Sequence, residues 1–167
     1  MPEGQILTTT LYLCGFIALS YITGARRLRI AGAVAGGAVA GIVALVALYI
    51  GEDQDWWRVP NSGLAHFRTL FWLSFAVSCA PIYLIVWRVV RRFGGRGLTL
   101  CAGLAAVIGP SRDYIFAVAF PAWIVFSPGV LPAIAAAIVY VLLMVVGYAA
   151  MRAVAGPATR DELARRS

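Results

Sequence analysis

The sequence contains no lysine, a single histidine and few charged residues of any kind. All 14 basic residues are arginine, and charged residues make up only 13% of the 167 residues. Hydrophobic residues make up 62%, and the mean hydropathy is +0.86. A soluble domain of this length could not bury so much apolar surface. The composition therefore excludes an ordinary soluble protein and predicts an all-α, polytopic integral membrane helical bundle.

Motifs of the common catalytic classes are missing as well. There is no Walker A loop, Rossmann glycine fingerprint, HExxH or GxSxG, so nothing favours a nucleotide-dependent enzyme or a zinc hydrolase. Cys14, Cys79 and Cys101 lie in apolar runs without CxxC spacing, which argues against a thiol redox centre or a zinc site. We therefore predict no metal site, and the sequence leaves any cofactor unknown.

The net charge of +7 comes mainly from arginines that flank the apolar runs. Basic connectors mark the cytoplasmic side of a membrane, so this charge indicates topology rather than binding to nucleic acid. Residues 25–29 (ARRLR) and 87–97 (WRVVRRFGGRG) are basic, whereas residues 51–57 (GEDQDWW) are acidic. This pattern predicts a bacterial-type plasma membrane protein with its N-terminus outside and its C-terminus in the cytoplasm.

Five apolar runs approach or exceed the length needed to cross about 30 Å of hydrocarbon. They are residues 5–23, 30–50, 67–90, 98–127 and 130–151. Residues 1–152 are thus predicted to form the transmembrane bundle, followed by a basic cytoplasmic tail, 153–167, in which Thr159 and Glu162 resemble a capping box. Because the bundle is small, we expect a homo-oligomer or another membrane subunit as a partner besides the lipid bilayer.

The second predicted span contains two pairs of glycines, each at a spacing of four residues. One pair is Gly32 and Gly36, and the other is Gly37 and Gly41. Small residues at this spacing let two helix backbones approach closely in lipid. These glycines are therefore predicted helix-packing positions, either within the bundle or between two copies of the chain.

The fourth predicted span contains GPSRDYIF (109–116), which places an arginine and an aspartate in an apolar run. Continuous helix over about thirty residues would measure about 45 Å, which exceeds the hydrocarbon thickness. Because proline is tolerated mainly in the first turn of a helix, we predict a break near Gly109 and Pro110. Ser111 and Asp113 would then lie at the positive end of a second half-helix, as in discontinuous transporter helices, with Arg112 beside them.

Two other interpretations of this segment stay open. The charged pair could reach the outer membrane interface, with the aromatic run after it in the headgroup region, or it could be a purely structural pair within the bundle. Within a helix, residues i and i+1 point about 100° apart. Arg112 and Asp113 are therefore each expected to find a partner on another span.

The leading functional hypothesis is a small transport or accessory subunit whose polar intramembrane site binds its substrate through Ser111, Arg112, Asp113 and Tyr114. A competing hypothesis is a membrane-embedded enzyme acting on a lipid or isoprenoid. Asp113 would then be the general acid or base, Arg112 would hold a phosphate or carboxylate, and His66 or Tyr114 would assist. A third is a structural or assembly factor of a membrane complex, which needs no catalytic residue.

Overall fold

The structure is a computed structural model that describes residues 2–60, 62–63 and 66–157, with side chains from residue 10 onward. These residues form five helices and two short strands, which confirms the all-α class. The elements are α1 (Pro2–Ile22), α2 (Arg27–Asp53), β1 (Trp57–Arg58), α3 (Phe67–Phe93), α4 (Gly95–Ala119), β2 (Val125–Phe126) and α5 (Leu131–Ala155). The predicted capping box at Thr159 and Glu162 lies outside the described residues, as does most of the tail.

Three of the described helices, α2, α3 and α5, are long and apolar enough to cross a membrane. The chain is thus compatible with an integral membrane protein. In α1, the apolar stretch within the described side chains covers only Thr10–Ile22. In α4, every stretch of 18 residues contains Arg112, whose charge lowers the mean hydropathy of that stretch. Crossing of the membrane by α1 and α4, and hence the count of five spans, stays a prediction.

The second helix is the centre of the bundle. It packs along both α3 and α5, while α4 packs mainly on α5 and α1 mainly on α3. The buried side of α2 consists of glycine and alanine apart from Leu48. Larger side chains of the neighbouring helices fill the space, and Tyr83 and Met151 are almost completely buried there. The narrow α2 therefore allows close helix contacts on two sides.

The first face of α2 lies against α5. A Cβ atom added to Gly32 would lie 2.9 Å from the carbonyl oxygen of Met151, and one added to Gly36 would lie 2.7 Å from that of Gly147. Real Cβ atoms do not approach a backbone oxygen so closely. Both glycines are therefore positions where two backbones of the same chain meet.

The second face of α2 lies against α3. A Cβ atom at Gly37 would overlap the carbonyl oxygen of Ala76, and one at Gly41 would lie 2.8 Å from the Trp72 ring. The Trp72 indole also donates a hydrogen bond to the Ala38 carbonyl at 3.0 Å. The structure thus brings all four predicted packing glycines into contact with helices of this chain.

The two ends of the bundle differ in composition. At one end, Arg88 of α3 donates a hydrogen bond to the carbonyl oxygen of Thr23, just after α1. At the other end, β1 and β2 pair antiparallel, so the connectors that follow α2 and α4 meet. Most of the described arginines lie at the first end, and the acidic loop lies at the second. The end with β1 and β2 is called the strand end below.

The predicted break in the fourth span is wrong, because α4 is one continuous helix with Pro110 inside it. The proline ring removes a backbone donor at this turn. The hydroxyl of Ser111 donates to the carbonyl oxygen of Val107 at 2.7 Å, which supplies another donor to the same turn. Gly109, in the same turn, packs against Tyr140 of α5. Residues 98–127 are longer than one crossing needs because they include the loop with β2, which follows the end of α4 at Ala119.

Candidate functional site

The charged pair of α4 forms a closed hydrogen-bonded cluster with a tyrosine of α5. The Nε and Nη2 groups of Arg112 donate to Oδ1 of Asp113 at 3.1 and 2.8 Å. Nη2 also donates to the Tyr140 hydroxyl at 2.7 Å, and this hydroxyl donates to Oδ2 of Asp113 at 2.6 Å. Each of the three side chains therefore contacts the other two. We call Arg112, Asp113 and Tyr140 the polar triad.

The position of the triad follows from the sequence of α4. Residues four apart lie one above the other on the same face of a helix, so Gly109 and Asp113 both face α5. The ring of Tyr140 lies on Gly109, where an added Cβ atom would overlap it. One helical turn further along, the tyrosine hydroxyl reaches Asp113. Gly109 therefore provides the space that lets Tyr140 approach the charged pair.

One expectation for this segment is confirmed and another is wrong. Arg112 and Asp113 each find a partner on another helix, the Tyr140 hydroxyl of α5, and they also pair with each other, because the flexible arginine side chain turns its guanidinium back to the adjacent carboxylate. Because α4 is continuous, Ser111 and Asp113 do not lie at the N-terminus of a half-helix. The positive helix end that would have attracted an anion is absent, so any affinity for anions must come from Arg112 itself.

The guanidinium of Arg112 keeps part of its hydrogen-bonding capacity free. An arginine has five N–H donors, and the triad uses one on Nε and two on Nη2. In the described part of the chain, the two Nη1 donors have no partner. The Arg112 side chain is 45% exposed and that of Asp113 is 27% exposed. We call the Nη1 side of this guanidinium the free edge, because no described group accepts a hydrogen bond from it, whereas both oxygens of Asp113 accept hydrogen bonds.

Two further side chains lie near the guanidinium. Tyr12 of α1 and Cys79 of α3 are both close enough to Arg112 to interact with it electrostatically. In the part of the chain that the structure describes, Arg112 forms hydrogen bonds with Asp113 and Tyr140 and with neither of these two residues.

The remaining predicted site residues lie apart from this cluster. The ring of Tyr114 stacks on Phe126 of β2, with centroids 4.2 Å apart, so Tyr114 faces the strand end. Ser111 uses its hydroxyl proton within α4. His66 immediately precedes α3 and makes no side-chain hydrogen bond to that helix end. The structure therefore joins Arg112 and Asp113, and it brings neither Ser111, Tyr114 nor His66 into the triad.

Sequence reasoning missed Tyr140. A signal for this residue was present, because a tyrosine near the middle of an apolar helix needs a partner for its hydroxyl. A long arginine and a carboxylate were the obvious candidates.

No metal centre is found in the part of the chain that the structure describes. No group of three or more histidine, cysteine, aspartate or glutamate side chains there could hold an ion. Comparison of the chain with protein-family models, curated proteins and solved structures gave no match.

Proposed function

We propose that this chain is a multi-pass membrane protein with five crossings, a small transport or accessory subunit whose working site is the polar triad. In this proposal the triad holds an anionic group of a solute or of a partner. Asp113 and Tyr140 fix the orientation of the Arg112 guanidinium, and the free edge binds the ligand.

The observation that carries this proposal is that Asp113 has hydrogen bonds to both of its oxygens, whereas Arg112 keeps donors without a partner among the described residues. Both oxygens of Asp113 accept hydrogen bonds, whereas Arg112 is 45% exposed with its Nη1 group unpaired. An ionisable side chain within a membrane helix is costly and is typical of functional sites. A guanidinium that is already oriented loses less freedom when it binds a ligand.

The length of α4 supports a membrane crossing by this helix. Its 25 residues correspond to about 37 Å of helix, more than the hydrocarbon thickness of about 30 Å. Neutralisation of Arg112 by Asp113 lowers the cost of placing a charge there. The concentration of arginines at the end opposite the strands supports an orientation with that end in the cytoplasm.

The alternative functions have weaker support. For a lipid-modifying enzyme, Asp113 would need an assisting residue such as His66 or Tyr114 beside it, whereas Tyr114 stacks on Phe126 and His66 lies at the start of α3. For an assembly factor, the glycine faces of α2 would need to be free for a partner, whereas they contact α3 and α5. The assembly hypothesis would gain if the triad could be removed without consequence. The enzyme hypothesis would gain if Asp113→Asn abolished product formation from a lipid substrate by the purified protein.

The proposal is tested with purified protein in proteoliposomes and in detergent. We expect saturable uptake of at least one of phosphate, succinate or glutamate, or a rise in unfolding temperature when one of these anions is added. Arg112→Gln should abolish either effect. Arg68→Gln is the matched control, because Arg68 is exposed near the strand end and lies 5.2 Å from the Tyr49 ring. Absence of both effects in the unaltered protein, or identical effects in Arg112→Gln, would contradict the proposal.

A further inference from the structure

We propose that a groove at the strand end binds the headgroup of a zwitterionic phospholipid, whose ammonium group pairs with Asp55 and whose phosphate pairs with Arg58. The groove has a volume of about 340 Å³, within the range of about 300–1,000 Å³ that is usual for small-ligand sites. It is lined by Asp55, Trp57 and Arg58 from the connector after α2 and by residues 125–128 from the connector after α4. No residue of the triad lines it, so this inference is independent of the proposed function.

The groove carries one charge of each sign. Asp55 and Arg58 are both exposed and lie three positions apart in the sequence. Among the described residues, neither side chain has a hydrogen-bond or ion-pair partner. A ligand with a single charge would be attracted by one of the two groups and repelled by the other. A ligand with both an ammonium group and an oxyanion can pair with both, so the lining favours a zwitterion.

The aromatic floor of the groove is fixed by packing. Trp57 is only 7% exposed and belongs to a buried cluster with Ala135 and Ala136 of α5. Its ring meets that of Phe126 edge-on, with centroids 6.0 Å apart. A Cβ atom added to Gly51 of α2 would overlap the Trp57 ring, which shows how closely the ring lies on that helix. The floor is therefore formed before a ligand arrives, which lowers the entropic cost of binding.

The charged residues are positioned by contacts between the two connectors. Asp55 has a φ of 53°, in the left-handed region that few residues other than glycine adopt. The hydroxyl of Ser127 donates to the carbonyl oxygen of Asp55, and the Ser127 backbone N–H donates to that of Trp56 at 3.0 Å. Arg58 pairs with Val125 across the two strands. Both charges are thus held on a paired backbone and not on a free loop.

The surroundings of the groove suit a lipid. Val125 and Pro128 line it, and Val130 and Leu131 follow at the start of α5. Val130 is 72% exposed and Leu131 is 60% exposed. Because α5 is apolar and long enough to span a membrane, its first residues would lie at the boundary between headgroups and acyl chains. A headgroup in the groove would leave its acyl chains beside these apolar side chains.

Binding is tested by native mass spectrometry of the full chain in mild detergent. Three lipids with the same acyl chains are compared: dioctanoyl phosphatidylethanolamine, dioctanoyl phosphatidylglycerol and dioctanoylglycerol. The second keeps the phosphate but lacks the ammonium group, and the third lacks both. We expect phosphatidylethanolamine to bind at least tenfold more tightly than either of the others. Glycerophosphoethanolamine, which has the headgroup without acyl chains, is the fourth probe and should bind more weakly than the whole lipid.

Two variants assign the two charges separately. Asp55→Asn keeps the side-chain size, and asparagine tolerates the left-handed region, so only the charge is lost. It should reduce the binding of phosphatidylethanolamine to the level of phosphatidylglycerol. Arg58→Gln should weaken both phospholipids several-fold. Asp53→Asn and Arg68→Gln are the matched controls, since these exposed residues do not line the groove, and both should bind as the unaltered protein does.

Unfolding temperatures of the variants separate lost binding from lost folding. If Asp55→Asn lowers this temperature, Arg58→Gln carries the test, because the strand pairing of Arg58 uses only its backbone. Equal binding of phosphatidylethanolamine and phosphatidylglycerol by the unaltered protein would overturn the inference, as would an unchanged preference in a folded Asp55→Asn variant. Binding of glycerophosphoethanolamine as tight as that of the lipid would overturn the bilayer as the source of the ligand.

Discussion

The aromatic ring of Tyr140 lies directly on the backbone of Gly109, so closely that a single added methyl group at Gly109 would overlap it. This contact sets the distance between α4 and α5 at the level of the triad. It also places the tyrosine hydroxyl within 2.6 Å of the Asp113 carboxylate. The glycine that precedes Pro110 is therefore a packing position and not a helix break.

Gly109→Ala is expected to destabilise the protein by about 1–3 kcal/mol, since the new methyl group must displace the ring or separate the two helices. Thermal unfolding in detergent measures this loss. The matched control is Gly103→Ala on the same helix, where an added Cβ atom meets nothing within 4 Å. Its unfolding temperature should stay the same or rise slightly, because alanine favours helix more than glycine does. Equal effects of the two changes would contradict the packing role of Gly109.

Tyr140→Phe should cost about 1–3 kcal/mol of stability, because one oxygen of Asp113 and one donor of Arg112 lose their partner in a partly buried place. The ring remains on Gly109, so the loss comes from the hydroxyl alone. Chemical unfolding of the two proteins side by side measures it. Combining Tyr140→Phe with Asp113→Asn should give less than the sum of the single effects, since the two residues interact. Strictly additive effects would show that the hydrogen bond between Tyr140 and Asp113 contributes nothing to stability.

Gly36→Ala should destabilise the bundle itself, because the new methyl group would meet the carbonyl oxygen of Gly147 and the ring of Tyr83. A backbone oxygen cannot move aside cheaply, so we expect about 1–3 kcal/mol. Gly15→Ala, where an added Cβ atom has open space, is the control. Unfolding temperature and oligomeric state are measured together. Dissociation of an oligomer with no change in monomer stability would instead assign Gly36 to an interface between copies.

Labelling of single cysteines tests the predicted orientation. Cys14, Cys79 and Cys101 are first replaced by alanine, and a cysteine is introduced at Arg58 or Arg92. A membrane-impermeant thiol reagent on intact cells should label the cysteine at position 58, which lies at the strand end. Position 92, among the arginines at the opposite end, should react only after the membrane is permeabilised. The reverse pattern would invert the topology.

Much of the fold could be predicted from the sequence, because apolar runs of sufficient length indicate membrane helices and arginine-rich connectors indicate the ends of those helices. The bounds expected for the second and third spans, 30–50 and 67–90, agree with α2 and α3 to within a few residues. The continuity of α4 could not be predicted in the same way, because proline usually ends or bends a helix. Nor could the contact between Gly109 and Tyr140, residues that are far apart in the chain.

The charged half of the site could be predicted from the sequence, and the position of the tyrosine that completes it could not. Arg112 and Asp113 stand out because charge is rare in an apolar run. The hydroxyl of Tyr140 needs a partner within its apolar helix, but only the packing of α5 on α4 shows that this partner is the charged pair. Ser111 and Tyr114 are neighbours of the pair in sequence, yet the helix directs them elsewhere.

The depth of the triad in the membrane is tested most directly by spin labels placed beside it. Single cysteines are introduced at Ile108 or Ile115, which flank Arg112 on α4 and are 61% and 69% exposed, in the cysteine-free protein in bilayers. Collision rates of the labels with oxygen and with a water-soluble nickel chelate give their depth. We predict that both labels collide readily with oxygen and rarely with the chelate, and that the label at Ile108 is the deeper. Frequent collision with the chelate at both positions would place this turn in water and contradict an intramembrane site.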